Sequence, residues 1–298
     1  PTRRSSDLIK IIFNGGTNMS NKIKKLFLQQ TKEQNIVFST GFRDLDNCIN
    51  NVKTGSLITI GSRPAMGKTE LTLSIVNNLI KNNKKVTYFN LDMSEDYFIN
   101  RLIANKTNIS INDIFERQIE LSSIISDLDF YENGNLKIEN HYNITVDDVE
   151  NIIKKQNSDI VVIDYVQLIK ITNIETNIIQ ELKRIAIENN LIIILLSQIS
   201  RKVEHRNNKY PLLADLKTFD SLEELSDIVL MIYRDDYYNR DSSVMPYAQI
   251  IIQKNLYGER EYINLNYKNG HFSSLEPIFT NTTKYDTCSL YNDNEQGD

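Results

Sequence analysis

The stretch GSRPAMGKT (residues 61–69) lies between an apolar run, LITI, and a run with helical periodicity, ELTLSIVNNLI. A glycine-rich turn between a strand and a helix is typical of a phosphate-binding loop. Glycine lets backbone amides approach phosphate oxygens, and the helix presents its positive N-terminal end to them. The spacing departs from the usual pattern, because Ser62 stands at the position of the first glycine and Gly61 precedes it. The alternative is an ordinary glycine turn, but the flanking elements favour phosphate binding.

The residues of this loop have different expected roles. Lys68 is expected to reach the β- and γ-phosphate oxygens of a nucleotide, and the Thr69 hydroxyl is expected to bind Mg²⁺. ATP and Mg²⁺ are therefore the predicted cofactors. The residues predicted to surround the phosphates are Ser62, Arg63, Pro64, Ala65, Met66, Gly67, Lys68 and Thr69.

Two later strand ends carry polar residues that complement this loop. The run DIVVIDY (159–165) ends in Asp164, an acid at the carboxyl end of a buried strand, which predicts a second Mg²⁺ ligand. The run LLSQISR (195–201) places Gln198 at the end of another strand, where an amide can hydrogen-bond a γ-phosphate. The alternative for Gln198, a polar residue that only closes a strand, stays open.

Strand-like and helical runs alternate along most of the chain. Continuous apolar strands separated by helices indicate a parallel sheet that is covered on both faces. The last two strands lie close together in sequence, which predicts an antiparallel hairpin at the sheet edge. The fold class is therefore α/β, a P-loop NTPase with a mostly parallel sheet, flanking helices and an antiparallel edge hairpin. Strands are predicted at 56–61, 86–92, 159–168, 191–198, 228–234, 248–254 and 262–268, and helices at 68–82, 95–106, 145–156 and 177–189.

The bulk composition excludes several classes of protein. No run approaches the ~18 consecutive apolar residues of a membrane helix, so no membrane partner is expected. A net charge of −5 argues against non-specific coating of DNA, although it leaves room for a locally basic channel. Cys48 and Cys288 form no disulfide or metal pattern, which together with the lack of a secretory signal predicts a cytoplasmic protein.

Six motifs in the same order resemble the motor domain of the DnaB-type replicative helicases, a branch of the RecA-like ATPases. The resemblance runs from about residue 38 to residue 275. Segment 39–69 carries two of the motifs, a threonine-glycine-phenylalanine entry and an arginine-proline-x-methionine version of the phosphate loop. The other four are NLDMSEDYFINRL (90–102), VVIDYVQLI (161–169), the long segment 195–238 and QKNLYGE (253–259). It implies a RecA-like fold and an ATP-dependent DNA helicase. It also implies a hexameric ring that hydrolyses ATP at subunit interfaces and draws single-stranded DNA through its centre. Primase and a helicase loader are further candidate partners.

The same resemblance assigns catalytic roles to individual residues. Lys68 and Thr69 correspond to the phosphate and Mg²⁺ contacts, Asp164 to the metal-binding acid, and Gln198 to the phosphate sensor. Lys254 corresponds to a lysine that reaches the neighbouring subunit's nucleotide.

Three positions depart from the family pattern. Asp92 stands where the family has the glutamate that activates the attacking water, and its carboxylate is one methylene shorter, which can cost ~10²-fold in rate. Leu256 stands at the position of an arginine that acts on the neighbouring subunit's nucleotide, and such an arginine raises the rate of hydrolysis ~10³–10⁵-fold. Arg260 is nearby but does not match in position. Asp220 replaces a glycine in the channel loop DLKTFDS, where Lys217 keeps a cation. These departures leave two alternatives open: a catalytically weakened nucleotide- and DNA-binding paralogue, or an ATPase stimulated by single-stranded DNA without unwinding.

The loop SRKVEHRNNKY (200–210) is the most basic segment, and its place after the sensor strand favours contact with DNA phosphates. The alternative is a solvated loop whose charges serve solubility. The predicted DNA-binding residues are Arg201, Lys202, Arg206, Lys209 and Lys217.

The expected organisation has four parts. Residues 1–18 are predicted to be a non-native leader before a start at Met19, 19–36 a linker or arm helix, 37–276 the motor domain, and 277–298 a disordered tail. The family has a separate N-terminal domain. If Met19 is the true start, the gene is expected to encode a motor alone, as in a mobile element; if the sequence is cut at its 5′ end, that domain is expected to have been lost in sequence assembly.

Overall fold

The computed structural model describes residue 23 and residues 38–116, 121–171, 177–216, 220–239 and 247–275. The predicted leader, most of the arm helix, Lys217 and the predicted tail lie outside the described residues. Among the described residues, no helix has the length and apolar character needed to cross a membrane.

The described strands form one sheet of nine strands. They are β1 (Leu57–Ser62), β2 (Val86–Asn90), β3 (Leu136–Asn140), β4 (Ile160–Asp164), β5 (Ile192–Gln198), β6 (Ile228–Arg234), β7 (Tyr247–Asn255), β8 (Tyr262–Lys268) and β9 (His271–Ser274).

Helices connect most of the strands. They are α1 (Arg43–Cys48), α2 (Lys68–Lys81), α3 (Glu95–Thr107), α4 (Ile111–Phe115), α5 (Leu121–Leu128), α6 (Val146–Gln156), α7 (Ile178–Glu188), α8 (Asp220–Leu225) and α9 (Asp235–Tyr238). Short 3₁₀ helices lie at Asp129–Tyr131, Val166–Leu168, Arg201–His205 and Leu213–Leu216.

The sheet order is β3-β2-β4-β5-β1-β6-β7-β8-β9. Neighbouring strands from β3 to β6 are parallel, and β6 to β9 pair in antiparallel fashion. The predicted α/β class, with a mostly parallel sheet and an antiparallel edge, is confirmed. The β7–β8 pair is the predicted hairpin.

The predicted strands missed β3 and β9 and made β4 too long. β3 reads LKIEN and its residues are only partly buried, because an edge strand has one neighbour and does not need a continuous apolar run. β9 is four residues long and pairs only with β8. β4 ends at Asp164, and Val166–Leu168 turns into a 3₁₀ helix instead of continuing the strand.

Two apolar clusters cover the two faces of the sheet. Along β1, Ile58 and Ile60 pack into the cluster that includes Leu71 and Leu79 of α2. Leu57 joins the other cluster, with residues of α6 and α7. Successive strand residues point to opposite faces, so each buried strand contributes side chains to both clusters. Its sequence is therefore a continuous apolar run.

This topology brings the predicted phosphate and Mg²⁺ ligands together at the carboxyl ends of the parallel strands. β4, β5 and β1 are adjacent and parallel, so their carboxyl ends meet, and Ser62 is the register partner of Gln198. The carboxyl edge of such a sheet is where ligands bind in open α/β folds. Lys254 pairs with Val229, which in turn pairs with Thr59 in the first half of β1. Lys254 therefore lies toward the amino ends of the parallel strands.

Candidate nucleotide-binding site

The backbone of the 61–69 loop makes a cradle that only small residues allow. Ala65 and Gly67 both have positive φ, 63° and 95°, which turns the chain sharply before α2 begins at Lys68. A Cβ at Gly67 would lie 3.0 Å from atoms of the Phe272 ring, so this position requires glycine for space as well as for conformation. The first-turn amides of α2 have no acceptors within their own helix, so they are available to bind phosphate oxygens.

Two residues of the loop converge on Asp164. The Thr69 hydroxyl donates a hydrogen bond to Asp164 Oδ2 at 2.8 Å, and Lys68 Nζ lies 3.9 Å from Asp164 Oδ1. The Asp164 side chain is 2% exposed, so these partners replace the water contacts that its carboxylate loses on burial. Tyr88 of β2 donates a third contact, from its hydroxyl to Asp164 Oδ2 at 2.9 Å.

The charges at this site perturb one another. Burial lowers the pKa of Lys68, and the carboxylates of Asp164 and Asp92 oppose that shift. Partial burial and the charge of Asp164 raise the pKa of Asp92, while Lys68 lowers it. Asp92 therefore belongs to the same electrostatic cluster, although its side chain is exposed to solvent.

The donor set fits Mg²⁺ that arrives with a nucleotide. Thr69 and Asp164 offer hard oxygen ligands, and Mg²⁺ usually takes one or two protein ligands, substrate phosphates and waters. In the part of the chain that the structure describes, no group of three or more His, Cys, Asp or Glu residues could hold a metal alone. The backbone turn at Gly67 and the cation of Lys68 are complementary in shape and charge to phosphate oxygens.

Several contacts at this site were not predicted from the sequence. Tyr88 lies within the apolar run of β2, where nothing local distinguishes a tyrosine that bonds an acid from one that only packs. The Lys68 amine lies 4.9 Å from the centre of the Tyr165 ring. Arg101 of α3 pairs with Glu70 of α2. Burial lowers the pKa of Arg101, and the charge of Asp164 opposes that shift.

The other predicted loop residues have unequal surroundings. Ser62 and Met66 are buried, and the Ser62 hydroxyl donates to the Arg63 carbonyl at 3.0 Å. Pro64 and Ala65 are exposed. The Ala65 carbonyl accepts a hydrogen bond from the Arg234 guanidinium at 3.3 Å.

The Arg63 side chain is engaged outside the phosphate cradle. Its Nε donates to Glu204 Oε1 at 2.7 Å, and its Nη1 donates to the Ile199 carbonyl at 3.2 Å. Both acceptors lie in the segment that follows β5.

The end of β5 is held by a residue that follows β4. Gln167 Nε2 donates to the Ser197 hydroxyl at 2.8 Å and to the Gln198 carbonyl at 3.2 Å. The Gln198 side chain is partly buried and stands beside the first residues of the phosphate loop, because its register partner is Ser62. A polar group here is well placed to sense a ligand bound to that loop.

The predicted DNA-binding residues separate into two groups. Arg201 and Lys202 are exposed, and within the described ranges neither forms an ion pair. Arg206 is paired with Asp215 at 2.7 Å and also donates to the Tyr210 carbonyl at 2.8 Å. These contacts stabilise the conformation of the loop, and the ion pair neutralises the Arg206 charge.

Lys209 and Tyr210 are also used inside the loop. Lys209 Nζ donates to the carbonyls of Glu204 and Arg206, both at 2.6 Å. The Tyr210 ring stacks on Tyr233 with centroids 4.1 Å apart.

Lys254 contacts the end of helix α8. Its amine donates to the carbonyls of Glu223 and Glu224, both at 2.8 Å, where a cation is favoured by the helix dipole. Burial lowers the pKa of Lys254. Leu256, just beyond β7, is 63% exposed.

Comparisons with known proteins agree on one family. The sequence profile described as "DnaB-like helicase C terminal domain" matches residues 37–275. The replicative DNA helicase DnaB of Geobacillus stearothermophilus is 32% identical over 231 residues, which cover 72% of this chain and 51% of that protein. The probable replicative DNA helicase of Trieres chinensis is 34% identical over 254 residues, covering 78% of this chain and 54% of that protein. The chain thus spans about half the length of these curated relatives.

Solved structures give the same result. One of them, described as an ATPase domain, superposes with a TM-score of 0.80 and 26% identity, over 88% of this chain and 100% of that one. A DnaB-like replicative helicase, described with its interactions with primase, superposes with a TM-score of 0.78 and 26% identity, over 91% of this chain and 71% of that one. The fold is therefore that of a RecA-like ATPase domain.

Proposed function

The chain belongs to the DnaB-like helicase C-terminal domain family, and from that premise we propose that it is an ATP-dependent motor. The motor translocates on single-stranded DNA as a hexameric ring, in the cytoplasm. The observation that carries the proposal is the convergence of Lys68 and Thr69 of the phosphate loop on the buried carboxylate of Asp164. A primase is a candidate partner, because a structural neighbour is described with one.

Each residue of the site has a role that follows from its position. Lys68 binds the phosphates, and Thr69 and Asp164 orient the metal. When bound, ATP would supply the phosphoryl group, and Mg²⁺ held by Thr69 and Asp164 would neutralise part of the phosphate charge. Asp92, whose pKa is raised, accepts a proton from the attacking water, since a base with a pKa nearer neutrality is more effective. Gln198 contacts the terminal phosphate from the end of β5.

The position of Lys254 supports assembly into a ring. It lies toward the amino ends of β1 and β6, whereas the phosphate loop follows the carboxyl end of β1. Because Lys254 lies at the end of the sheet opposite its own phosphate loop, the nucleotide contact that the family resemblance implies requires another subunit in a head-to-tail contact. Repeated head-to-tail contacts close into a ring when the rotation allows it.

The alternative, a weakened nucleotide- and DNA-binding paralogue, is favoured by Leu256. This exposed apolar side chain stands where the family resemblance places a cation, and it offers nothing to stabilise negative charge. The third candidate is an ATPase that DNA stimulates but that does not unwind DNA. It shares the whole site and differs only in whether hydrolysis is coupled to unwinding.

Native protein should hydrolyse ATP faster in the presence of oligothymidylate than without it, and should form hexamers in the presence of Mg²⁺ and ATP. Phosphate release and analytical ultracentrifugation measure the two results, with duplex DNA as the control ligand. Protein that neither bound ATP nor assembled beyond a monomer would contradict the proposed function. ATP and DNA binding with a turnover that DNA does not change would favour the weakened paralogue.

Lys202→Gln and Arg206→Gln should separate DNA contact from loop stability. Lys202 is exposed, so its loss should reduce the salt dependence of DNA binding by about one phosphate contact and leave the free energy of unfolding unchanged. Arg206→Gln removes the partner of Asp215, which is 8% exposed, and should lower the free energy of unfolding by about 2 kcal/mol. Fluorescence anisotropy at several salt concentrations and urea unfolding measure these effects. The reverse pattern would show that Arg206 is the DNA contact.

A further inference from the structure

We propose that Glu204 is a positioning residue that couples the phosphate loop to the segment after β5 through its ion pair with Arg63. The inference rests on the proposed function, because it assumes that a nucleotide binds the 61–69 loop. Glu204 belongs to the 3₁₀ helix Arg201–His205, the same turn that carries the exposed cations Arg201 and Lys202. Arg63 is part of the phosphate loop itself. One ion pair therefore joins the two functional regions.

The Arg63–Glu204 contact is more constrained than an ordinary surface ion pair. The side chain of Arg63 is 14% exposed and that of Glu204 is 34% exposed. Arg63 also donates to the Ile199 carbonyl, and the Tyr238 hydroxyl lies 3.3 Å from the same Glu204 oxygen that Arg63 contacts. The hydrogen bond from Arg63 holds the pKa of Glu204 below its usual range. The carboxylate is thus charged and held in place at neutral pH.

The backbone is restrained on each side of this pair. Pro64 has a fixed φ directly after Arg63, and the Arg63 side chain is held by both Glu204 and the Ile199 carbonyl. On the other side, Lys209 bridges the carbonyls of Glu204 and Arg206. A displacement of Glu204 therefore extends along the basic loop.

A second contact supports the same connection independently. Gln167, three residues after Asp164, donates to the Ser197 hydroxyl and the Gln198 carbonyl at the end of β5, directly before this segment. The segment after β5 is consequently tied to both strand ends that form the nucleotide site. Glu204→Gln removes the charge from the ion pair and leaves the Gln167 contacts unchanged.

Hydrogen exchange of the full chain tests the proposal. Native protein is compared with Glu204→Gln, with and without Mg²⁺ and a non-hydrolysable ATP analogue. In native protein we expect the analogue to protect residues 61–69 and to change exchange in residues 199–206. In Glu204→Gln the protection of 61–69 should remain, while the response of 199–206 falls by at least about fivefold. Glu204→Asp, which keeps the charge, should restore part of that response.

Glu181→Gln is a matched control. Its carboxylate accepts from Arg184 Nε at 2.8 Å and its side chain is 36% exposed, close to the values for Glu204, but it lies on α7. This variant should respond like the native protein.

The outcomes distinguish this inference from the proposed function. A native response of 199–206 in Glu204→Gln, with 61–69 protected, overturns the coupling role and leaves nucleotide binding intact. Tighter analogue binding by Glu204→Gln with an unchanged response at 199–206 also overturns it, because Arg63 would then be a phosphate contact that Glu204 only restrains. Absence of protection at 61–69 in native protein contradicts both proposals.

Discussion

Asp92→Glu combined with Leu256→Arg should raise ATP turnover by at least ~10³-fold if the chain is a weakened motor. A trans-acting arginine stabilises charge that develops on the transferred phosphoryl group and contributes ~10³–10⁵ in rate. Lengthening the base by one methylene corrects a misplacement that can cost ~10²-fold. Leu256 is 63% exposed, so an arginine there displaces no packed side chain. Single-turnover and steady-state ATPase rates of both single variants and the double variant measure the effect.

The control for the added charge is Ile125→Arg. Ile125 on α5 is 53% exposed, similar to Leu256, but it does not occupy the position of the family's arginine. Its substitution should leave turnover unchanged. Fast, DNA-stimulated turnover in the native protein, with no gain in the double variant, would contradict the weakened-motor alternative. In that case Arg260→Ala should lower the rate, because Arg260 is the nearby cation that can take the same role.

Lys68→Ala should abolish ATP hydrolysis, with kcat/KM lower by at least ~10²–10³-fold. Lys68 is 12% exposed and its amine is the cation 3.9 Å from Asp164. Without it, a bound polyphosphate would face the carboxylates of Asp164 and Asp92 with no balancing charge from the loop. Titration with a fluorescent ATP analogue and the steady-state ATPase rate measure binding and turnover separately.

Lys183→Ala controls for loss of a lysine paired with a buried acid. Lys183 Nζ lies 2.5 Å from Asp227, whose carboxylate also accepts from the Leu57 amide at 2.7 Å, at the amino end of β1 and away from the phosphate loop. Both substitutions should lower the thermal midpoint, but only Lys68→Ala should lose nucleotide binding. Equal loss of binding in both variants would mean that the effect is one of folding.

Much of the site could be predicted from the sequence because its chemistry is local. Glycine conformation, the strand before it and the helix after it identify the phosphate loop within one short stretch. Asp164 is identified by the apolar run that it ends. Backbone torsions and hydrogen bonds within a few residues determine all of these features.

The edges of the sheet were less predictable. β3 and β9 carry mixed polar and apolar residues, because each borders a single strand and one side remains open to solvent. Periodicity reports burial on a face, so strands that are only partly buried give a weak signal.

The sequence by itself determined the class of fold, the identity of the phosphate loop and the acid that faces it. Only the tertiary structure decided which side chains contact that acid and which partners the charged residues of the basic loop have. Tyr88 reaches Asp164 from a strand 76 positions away, and Arg63 reaches Glu204 across 141 positions. No local pattern specifies such pairs, because they depend on how adjacent strand ends place their following loops. The phosphate loop can therefore be recognised from nine residues, whereas its contact with the loop after β5 forms only in the folded chain.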